Sequence, residues 1–240
     1  MNVVLLRVGI DTGSGGINGP LFADGSFEFL PIPDGPATSA PALPTYANTK
    51  GRYGRAFIEY FPRSRRGRMS NVPLHIDPEF DTFTYGDPTP PKRGLARLQL
   101  GDLLVFYAGL EGHDFTCAPR LYIVGFFDVA VVGLASQFSE AEIAQLFGRN
   151  AHVRDRTAFA DQRERLLLVK GGAGSRLLTR AVPISEVGKN RLGQPLKILS
   201  VAMREIFGDF GGKLSIQRSP PRWVDPNFVD RAATFVRSLT

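Results

Sequence analysis

Two long apolar runs in the middle of the chain constrain its fold more than any other feature. Residues 98–110 read LQLGDLLVFYAGL, in which a Gly-Asp turn precedes an apolar run from Leu103 to Tyr107. Residues 120–132 read RLYIVGFFDVAVV, and EGHDFTCAP joins the two runs. Apolar runs rich in β-branched and aromatic residues and bounded by turn residues are typical of strands. We therefore expect two adjacent antiparallel strands within a β-rich core over residues 98–200.

Helix signals flank this core. Ser139 and Glu142 form a Ser-x-x-Glu capping box, and Gly148 follows as a helix stop. Asp225 and Pro226 are typical of a helix start, which predicts a C-terminal helix over 225–239. Further strands are predicted at RLLLVK (165–170) and RLLTRAVPIS (176–185), with no regular strand–helix alternation. The expected fold class is α+β: a mixed or antiparallel β-sheet with peripheral helices.

The length of 240 residues fits one domain over 1–240. Residues 31–94 interrupt the pattern as a loop-rich excursion: 31–50 are rich in Pro, Ala, Ser and Thr, and 61–94 mix Arg, Pro and Gly without periodicity. The single cysteine, Cys117, allows no internal disulfide, and no apolar run reaches the roughly 18 residues of a membrane span. We expect a cytoplasmic protein with no membrane association.

The charge balance favours a polyanionic partner. Lys and Arg number 29 against 23 Asp and Glu, a net charge of +6. Such an excess favours nucleic acid or nucleotides. Protein partners and the oligomeric state stay open.

The segment VGIDTGSGG (8–16) contains the Asp-Thr-Gly of aspartic proteases around Asp11. Those enzymes need two carboxylates that share a proton, and this chain has one such loop. Gly148-Arg149-Asn150 matches a downstream protease element in letters but follows a predicted helix instead of a strand. The protease interpretation is therefore set aside.

Two glycine-rich loops are candidate anion sites. In the first, the N–H groups around Gly15 and Gly16 can converge on a phosphate, with the hydroxyls of Thr12 and Ser14 beside them. The second, KGGAGSR (170–176), offers Gly172, Ser175 and Arg176 between two strands. Neither loop is a Walker or dinucleotide-binding motif, and the alternative that both are plain hairpin turns stays open.

His75 and Asp77 project to the same face if their segment, PLHIDPEF, is extended. They form a candidate base with its orienting partner, or two ligands of a metal. No third ligand is evident nearby, so no metal site is predicted and the cofactor is left unknown. The alternative is a turn capped by Asp77. His152 lies near Asn150 in GRNAHVRDR, which makes both candidate nucleotide contacts.

Several of these stretches together resemble one family, the third nucleotide modification associated domain family. The resemblance covers RVGIDTGSGGINGPLFADGSFEFLPIPD (7–34), LHIDPEF (74–80) and LQLGDLLVFYAGL (98–110), with weaker agreement at NAHV and GAGSRLLTRAVPIS. That family is named for its association with systems that make or handle modified DNA bases. Transferred to this chain, its motif marks Arg7, Asp11, Ser14, Gly15, Gly16, Asp24, His75 and Asp77. Where the family often has lysine after the arginine, this chain has Val8.

A second resemblance concerns residues 98–132, whose two runs look like strands of PUA-like domains of the EVE and ASCH groups. Those domains are small β-barrels that bind RNA or modified bases. The resemblance implies a PUA-like β-barrel core as an alternative to an open sheet.

Three functional hypotheses follow. The first is binding of nucleic acid or a modified nucleotide in a DNA-modification system, with phosphate held by the glycine-rich loops, Arg7 and Arg176. Bases would then contact Asp11, Asn150 and loop aromatics such as Tyr46, Tyr53, Tyr85 and Trp223. The second is an enzyme that uses Asp11, His75 and Asp77 for metal-assisted phosphodiester or N-glycosidic cleavage. The third is an interaction protein in which the glycines only make turns.

Overall fold

The computed structural model describes residues 1–35, 43–217 and 220–240, with only the backbone of Pro91 and Arg93. Twelve strands occur in these residues: β1 (Val3–Arg7), β2 (Gly19–Leu21), β3 (Ile32–Pro33), β4 (Leu74–His75), β5 (Thr84–Asp87), β6 (Leu103–Gly112), β7 (Arg120–Leu134), β8 (Leu167–Gly171), β9 (Arg176–Pro183), β10 (Ser185–Lys189), β11 (Pro195–Leu199) and β12 (Arg222–Trp223). They also hold six α-helices: α1 (Arg63–Met69), α2 (Glu140–Phe147), α3 (Ala151–Arg154), α4 (Arg156–Gln162), α5 (Val201–Phe207) and α6 (Val229–Ser238). Short 3-10 helices lie at Phe57–Tyr60, Pro90–Arg97, Ala135–Gln137 and Pro226–Phe228.

An eight-stranded mixed sheet forms the centre of the molecule. Its order is β12-β1-β6-β7-β8-β5, with β2 also paired to β6 and β9 also paired to β7. The predicted hairpin is present: β6 and β7 pair antiparallel from Leu103 opposite Asp128 to Leu110 opposite Arg120. β1 lies parallel to β6, with Val3 opposite Leu103. A mixed sheet with helices around it confirms the predicted α+β class.

The expected alternative of a PUA-like barrel is not observed, because the sheet of the described residues does not close. The long strand β7 changes partners along its length. Residues Tyr122–Phe126 pair with β9, whereas Val129–Leu134 pair with β8, with a register shift between Val129 and Val131. The sheet therefore forks at β7 instead of returning to its first strand.

The central strand β6 is buried on both faces, which explains why it is a continuous apolar run and not an alternating one. The centre of the sheet is aromatic: the rings of Phe106 and Phe127 lie 4.7 Å apart, and Phe80 packs edge-on against both. A second apolar cluster lies beneath residues 10–16 and includes Ile10, Tyr46 and Phe61. This second cluster anchors part of the excursion to the rest of the fold.

The excursion has more regular structure than its sequence indicates. The interpretation of 61–94 as loop was wrong for α1, β4 and β5, and residues 36–42 of the excursion lie outside the described residues. The α1 sequence, RSRRGRM, has no apolar stripe, and only Met69 is buried. β5 reads TYGD and contains residues that are depleted in strands, but it pairs with the distant β8. Tertiary pairing therefore determines both elements.

The helix ends follow the predicted capping chemistry. At α2, Ser139 N donates to Glu142 Oε2 at 2.8 Å, and Glu142 N donates to Ser139 Oγ at 3.3 Å. Asp225 accepts from Asn227 N at 2.9 Å and starts the turn that leads into α6. None of the described helices combines the length and the apolar character that a bilayer crossing requires.

Candidate functional site

A polar pocket of about 310 Å³ lies where the Asp11 loop, β4, β5 and α3 meet. It brings together candidates from three separate sequence motifs: Arg7, Asp11 and Ser14; His75 and Asp77; and His152. The rest of its lining is Val8, Gly9, Ile32, Tyr85, Asp87, Pro88, Thr89 and Lys92. The pocket therefore unites six of the predicted site residues, although they are up to 145 positions apart in the chain, from Arg7 to His152.

One end of this pocket is a His-Asp-His cluster formed by His75, Asp77 and His152. One donor atom from each residue lies within 4.8 Å of the other two, and His152 Nε2 is 3.8 Å from Asp77 Oδ2. The two imidazole rings meet edge-on at 4.6 Å. The sequence predicted the pairing of His75 with Asp77. It did not predict that α3 adds His152 as a third possible ligand.

Local structure explains how each member is held. β4 pairs with β3, which places His75 opposite Ile32 and brings Asp34, just after β3, to 3.7 Å from His75 Nδ1. Asp77 is buried and accepts hydrogen bonds from Gly86 N at 3.1 and 3.2 Å. These contacts attach the cluster to β5 and through it to the main sheet.

Asn150 is fully buried and links the cluster to α3. Its side-chain oxygen caps α3 by accepting from His152 N at 3.0 Å, and its amide donates to Asp77 Oδ1 at 3.2 Å. From the sequence, Asn150 was predicted to contact a nucleotide. The structure instead places it behind the pocket lining, where it positions Asp77 and His152.

The cluster is electrostatically perturbed. Burial raises the pKa of Asp77 to about 7, and burial together with the nearby His75 lowers the pKa of His152 to about 4. Burial also opposes the charge on His75, but the carboxylates of Asp34 and Asp77 outweigh it and raise the pKa of that imidazole. Groups with such different proton affinities in one pocket are typical of functional sites.

Paired charges line the rest of the pocket. Lys92 Nζ lies 2.8 Å from Asp87 Oδ2 and 3.0 Å from the hydroxyl of Tyr85, which donates to Asp87 at 2.9 Å. Arg7 pairs with Asp11 Oδ2 at 2.9 Å and also donates to the carbonyl of Gln217. Both cations of the pocket are therefore already neutralised by carboxylates.

The Asp11 loop uses its own amides. Asp11 Oδ1 accepts from Gly13 N and Ser14 N, both at 2.8 Å, and the Asp11 carbonyl accepts from the amides of Ser14, Gly15 and Gly16. The N–H groups of residues 13–16, which include those predicted to bind a phosphate, thus all donate to Asp11 inside the loop. Asp11 holds the loop together, and Thr12, Gly15 and Gly16 form the wall of a second cavity.

The second glycine-rich loop lies outside the pocket lining. Gly171 N and Gly172 N donate to carbonyls of Phe83 and Asp128, and buried Ser175 accepts from Asp128 N at 3.0 Å. Arg176 lies over the ring of Phe126. This loop is a tight turn packed on β7, and it joins β8 to β9, which pair with successive parts of β7 and not with each other. The structure does not bring Gly172, Ser175 or Arg176 to the other candidates.

A basic groove, missed by the sequence analysis, lies on the other side of the Asp11 loop. This cavity of about 740 Å³ is lined by residues 12–16 together with Ser64, Arg65 and Arg68 of α1, and it shares Ser14 with the pocket. Arg65 and Arg68 are exposed, and neither forms an ion pair within the described parts of the chain. The run RSRRGR, with no acidic residue, was the signal that could have revealed it.

The aromatic candidates divide into two groups. Tyr46 is fully buried in the second apolar cluster, so the expectation that it stacks on a base was wrong. Tyr85 is also buried, packs against Phe106 and lines the pocket. Tyr53 is exposed, and Trp223 lies half-buried with Arg97 over its ring at 4.3 Å. Asp24 is exposed in a turn, where its carboxylate accepts from Ser26.

A family model described as nucleotide modification associated domain 3 matches residues 2–238, nearly the whole chain. Neither a curated protein nor a solved structure matches it. The match covers every element of the fold, the pocket and the basic groove.

Proposed function

The chain belongs to the nucleotide modification associated domain 3 family, and from this premise we propose that it binds nucleic acid within a DNA-modification system. In this proposal, backbone phosphates lie along the basic groove of α1 and one nucleotide enters the adjoining pocket. The observation that carries the proposal is the adjacency of the two cavities, since Ser14 lines both.

The groove supplies the electrostatic part of binding. Arg65 and Arg68 are exposed and lack carboxylate partners in the described residues, so their charges are available to phosphates. Guanidinium groups bind phosphate oxygens in a bidentate geometry. The paired Arg7 and Lys92 of the pocket are poorer phosphate ligands, because a phosphate would have to displace Asp11 or Asp87. We therefore expect phosphate to contact the arginines of α1 and not the glycine-rich loop.

In this proposal, the pocket supplies the selectivity for the bound nucleotide. Its volume of about 310 Å³ lies at the lower end of the range of about 300–1,000 Å³ that is common for small-molecule sites. Carboxylate, imidazole and hydroxyl groups line it, and such groups read the donor and acceptor edges of bases. A single nucleotide unit therefore suits the pocket better than a duplex.

Salt-dependent binding of fluorescently labelled oligonucleotides tests this proposal. The double variant Arg65→Gln/Arg68→Gln should reduce the slope of log K against log[salt] by about 1.4 for single strands and about 1.8 for duplexes. The variant Arg191→Gln/Arg237→Gln, at exposed arginines elsewhere, is the control with equal net charge. Absence of binding at low salt, or an equal effect of both double variants, would overturn the proposal. Free mononucleotides form a separate arm that distinguishes a polymer ligand from a monomer.

A second candidate function is catalysis on the bound nucleotide, favoured by the position of His75, Asp77 and His152 in the pocket lining. Imidazole and carboxylate groups suit metal-assisted phosphodiester or N-glycosidic cleavage. Asp11 does not serve as a base in this version, because its carboxylate is occupied by Arg7 and the loop amides. If catalysis occurs, His75→Ala should remove turnover and retain binding. Mass spectrometry of oligonucleotides incubated with the protein measures the turnover.

A further inference from the structure

We infer that His75, Asp77 and His152 bind one divalent transition-metal ion in the lining of the pocket. The ligand set would be two imidazole nitrogens and one carboxylate oxygen, with the remaining coordination positions directed to the pocket. This inference adds a metal centre to the nucleic-acid binding proposed above and does not depend on it.

The first support is the spacing of the donors. One donor atom from each residue lies within 4.8 Å of the other two, and His152 Nε2 and Asp77 Oδ2 are 3.8 Å apart. Around a metal with bonds of about 2.0–2.2 Å, neighbouring donors are about 3 Å apart. The donors must therefore approach one another by about 1–2 Å to share one ion.

The second support is the arrangement of groups behind the ligands. His152 Nδ1 lies 3.0 Å from Gln162 Oε1, so the amide oxygen holds the proton on Nδ1 and leaves the lone pair of Nε2 toward Asp77. His75 Nδ1 faces the carboxylate of Asp34 at 3.7 Å. Histidine ligands of metals usually donate their second nitrogen to such an oxygen, which fixes the tautomer and the ring orientation.

The third support is local charge and access. Besides Asp77 itself, the carboxylates of Asp34 and Asp87 lie near the cluster, and Lys92 is paired with Asp87 at 2.8 Å. Asp77 is almost fully buried, with 4 % of its side chain exposed, whereas His75 and His152 retain 18 % and 12 %. The two rings therefore reach the pocket, and a metal there would meet a ligand that enters it.

The donor set defines the class of metal. Two imidazoles and one carboxylate suit Zn²⁺, Fe²⁺, Co²⁺ or Mn²⁺ better than Mg²⁺ or Ca²⁺, which prefer oxygen ligands. Three protein ligands leave coordination positions open, as in catalytic metal sites and unlike closed structural ones. If Asp77 were the only ligand, its carboxylate would not favour a transition metal over Mg²⁺.

Titration of the untagged, EDTA-stripped protein with Co²⁺ tests the inference through visible absorption and calorimetry. The expected result is one equivalent bound, competed by Zn²⁺. His75→Ala and His152→Ala should each lower the affinity at least tenfold, and Gln162→Met by about tenfold. His113→Ala is the matched control, because His113 lies in an exposed turn against Phe22 and Tyr60. Far-UV circular dichroism and thermal melting confirm that each variant is folded.

Histidine ring NMR provides a readout that needs no variant. The chain has three histidines, so Zn²⁺ should shift the ¹⁵N ring resonances of two of them and leave those of His113 unchanged. Absence of stoichiometric binding, or retention of full affinity in both His75→Ala and His152→Ala, would overturn the inference. Oligonucleotide binding in EDTA is measured separately, so a failed metal site and a failed nucleic-acid site give different results.

Discussion

Replacement of Asn150 offers a quantitative test of how the site is held. Asn150 is fully buried, and its side-chain oxygen and nitrogen make different hydrogen bonds. The oxygen caps α3 through His152 N, and the nitrogen donates to Asp77 Oδ1 at 3.2 Å. The nitrogen also donates to Thr84 Oγ1 at 3.5 Å. Asn150→Ala removes the cap and these donor contacts at once, so it should destabilise the fold through two separable effects.

The magnitude follows from these contacts. Loss of an N-cap side chain costs about 1 kcal/mol. Loss of a partner to a buried polar group costs a further 1–3 kcal/mol, roughly. We therefore expect Asn150→Ala to lower the free energy of unfolding by about 2–4 kcal/mol. Asn150→Ser keeps a capping oxygen but cannot offer the amide donor, so it should recover about 1 kcal/mol of that loss.

Urea unfolding followed by tryptophan fluorescence and circular dichroism measures both variants, using the single Trp223. Serine and alanine have similar volumes, so the cavity left by asparagine is nearly the same in the two variants. Equal stability of the two variants would refute the capping role. A loss below about 0.5 kcal/mol for Asn150→Ala would refute the argument that this residue supports Asp77.

Two further predictions concern the Asp11 loop. Burial opposes ionisation of Asp11, but Arg7 and the loop amides outweigh it and lower its pKa below 3.8. The ionised Asp11 therefore stabilises the fold above pH 3.8, and this contribution is lost as the pH falls through the lowered pKa of the folded state. Asp11→Asn lacks this contribution, so below about pH 4 its urea midpoint should fall less steeply than that of the wild type. Gly16 has a φ of +80° and would place a Cβ against the Arg65 guanidinium, so Gly16→Ala should lower the free energy of unfolding by about 1–2 kcal/mol. Gly67→Ala in α1, where a Cβ meets open space, is its control in thermal melts and should be neutral or stabilising.

The sequence predicted the elements whose signals are local. The β6–β7 hairpin, the capping box of α2 and the Asp225 turn depend on residues within a few positions of one another, and all three are present. The α1 helix and β5 were missed because neither has a clear local signal in the sequence. The first has no apolar stripe, and the second contains Gly and Asp but is held by its pairing with β8.

The candidate site shows the same division. The two-residue spacing of His75 and Asp77 predicted that they act together, and both line the pocket. The glycine-rich loops were less informative, because glycine permits a turn whether or not its amides face a ligand. In the structure, the N–H groups of residues 13–16 donate to Asp11. We therefore expect the exposed arginines of α1 to contact phosphate in their place.

By itself, the sequence determined the fold class, the family and the pairing of His75 with Asp77, because each depends on composition, motif or short spacing. Only the tertiary structure decided that His152 lies beside these two residues and that Asn150 donates a hydrogen bond to Asp77. It also decided that Arg65 reaches Gly16. Contacts between residues about 50 to 75 positions apart follow from sheet pairing and helix packing, which no local pattern of residues records.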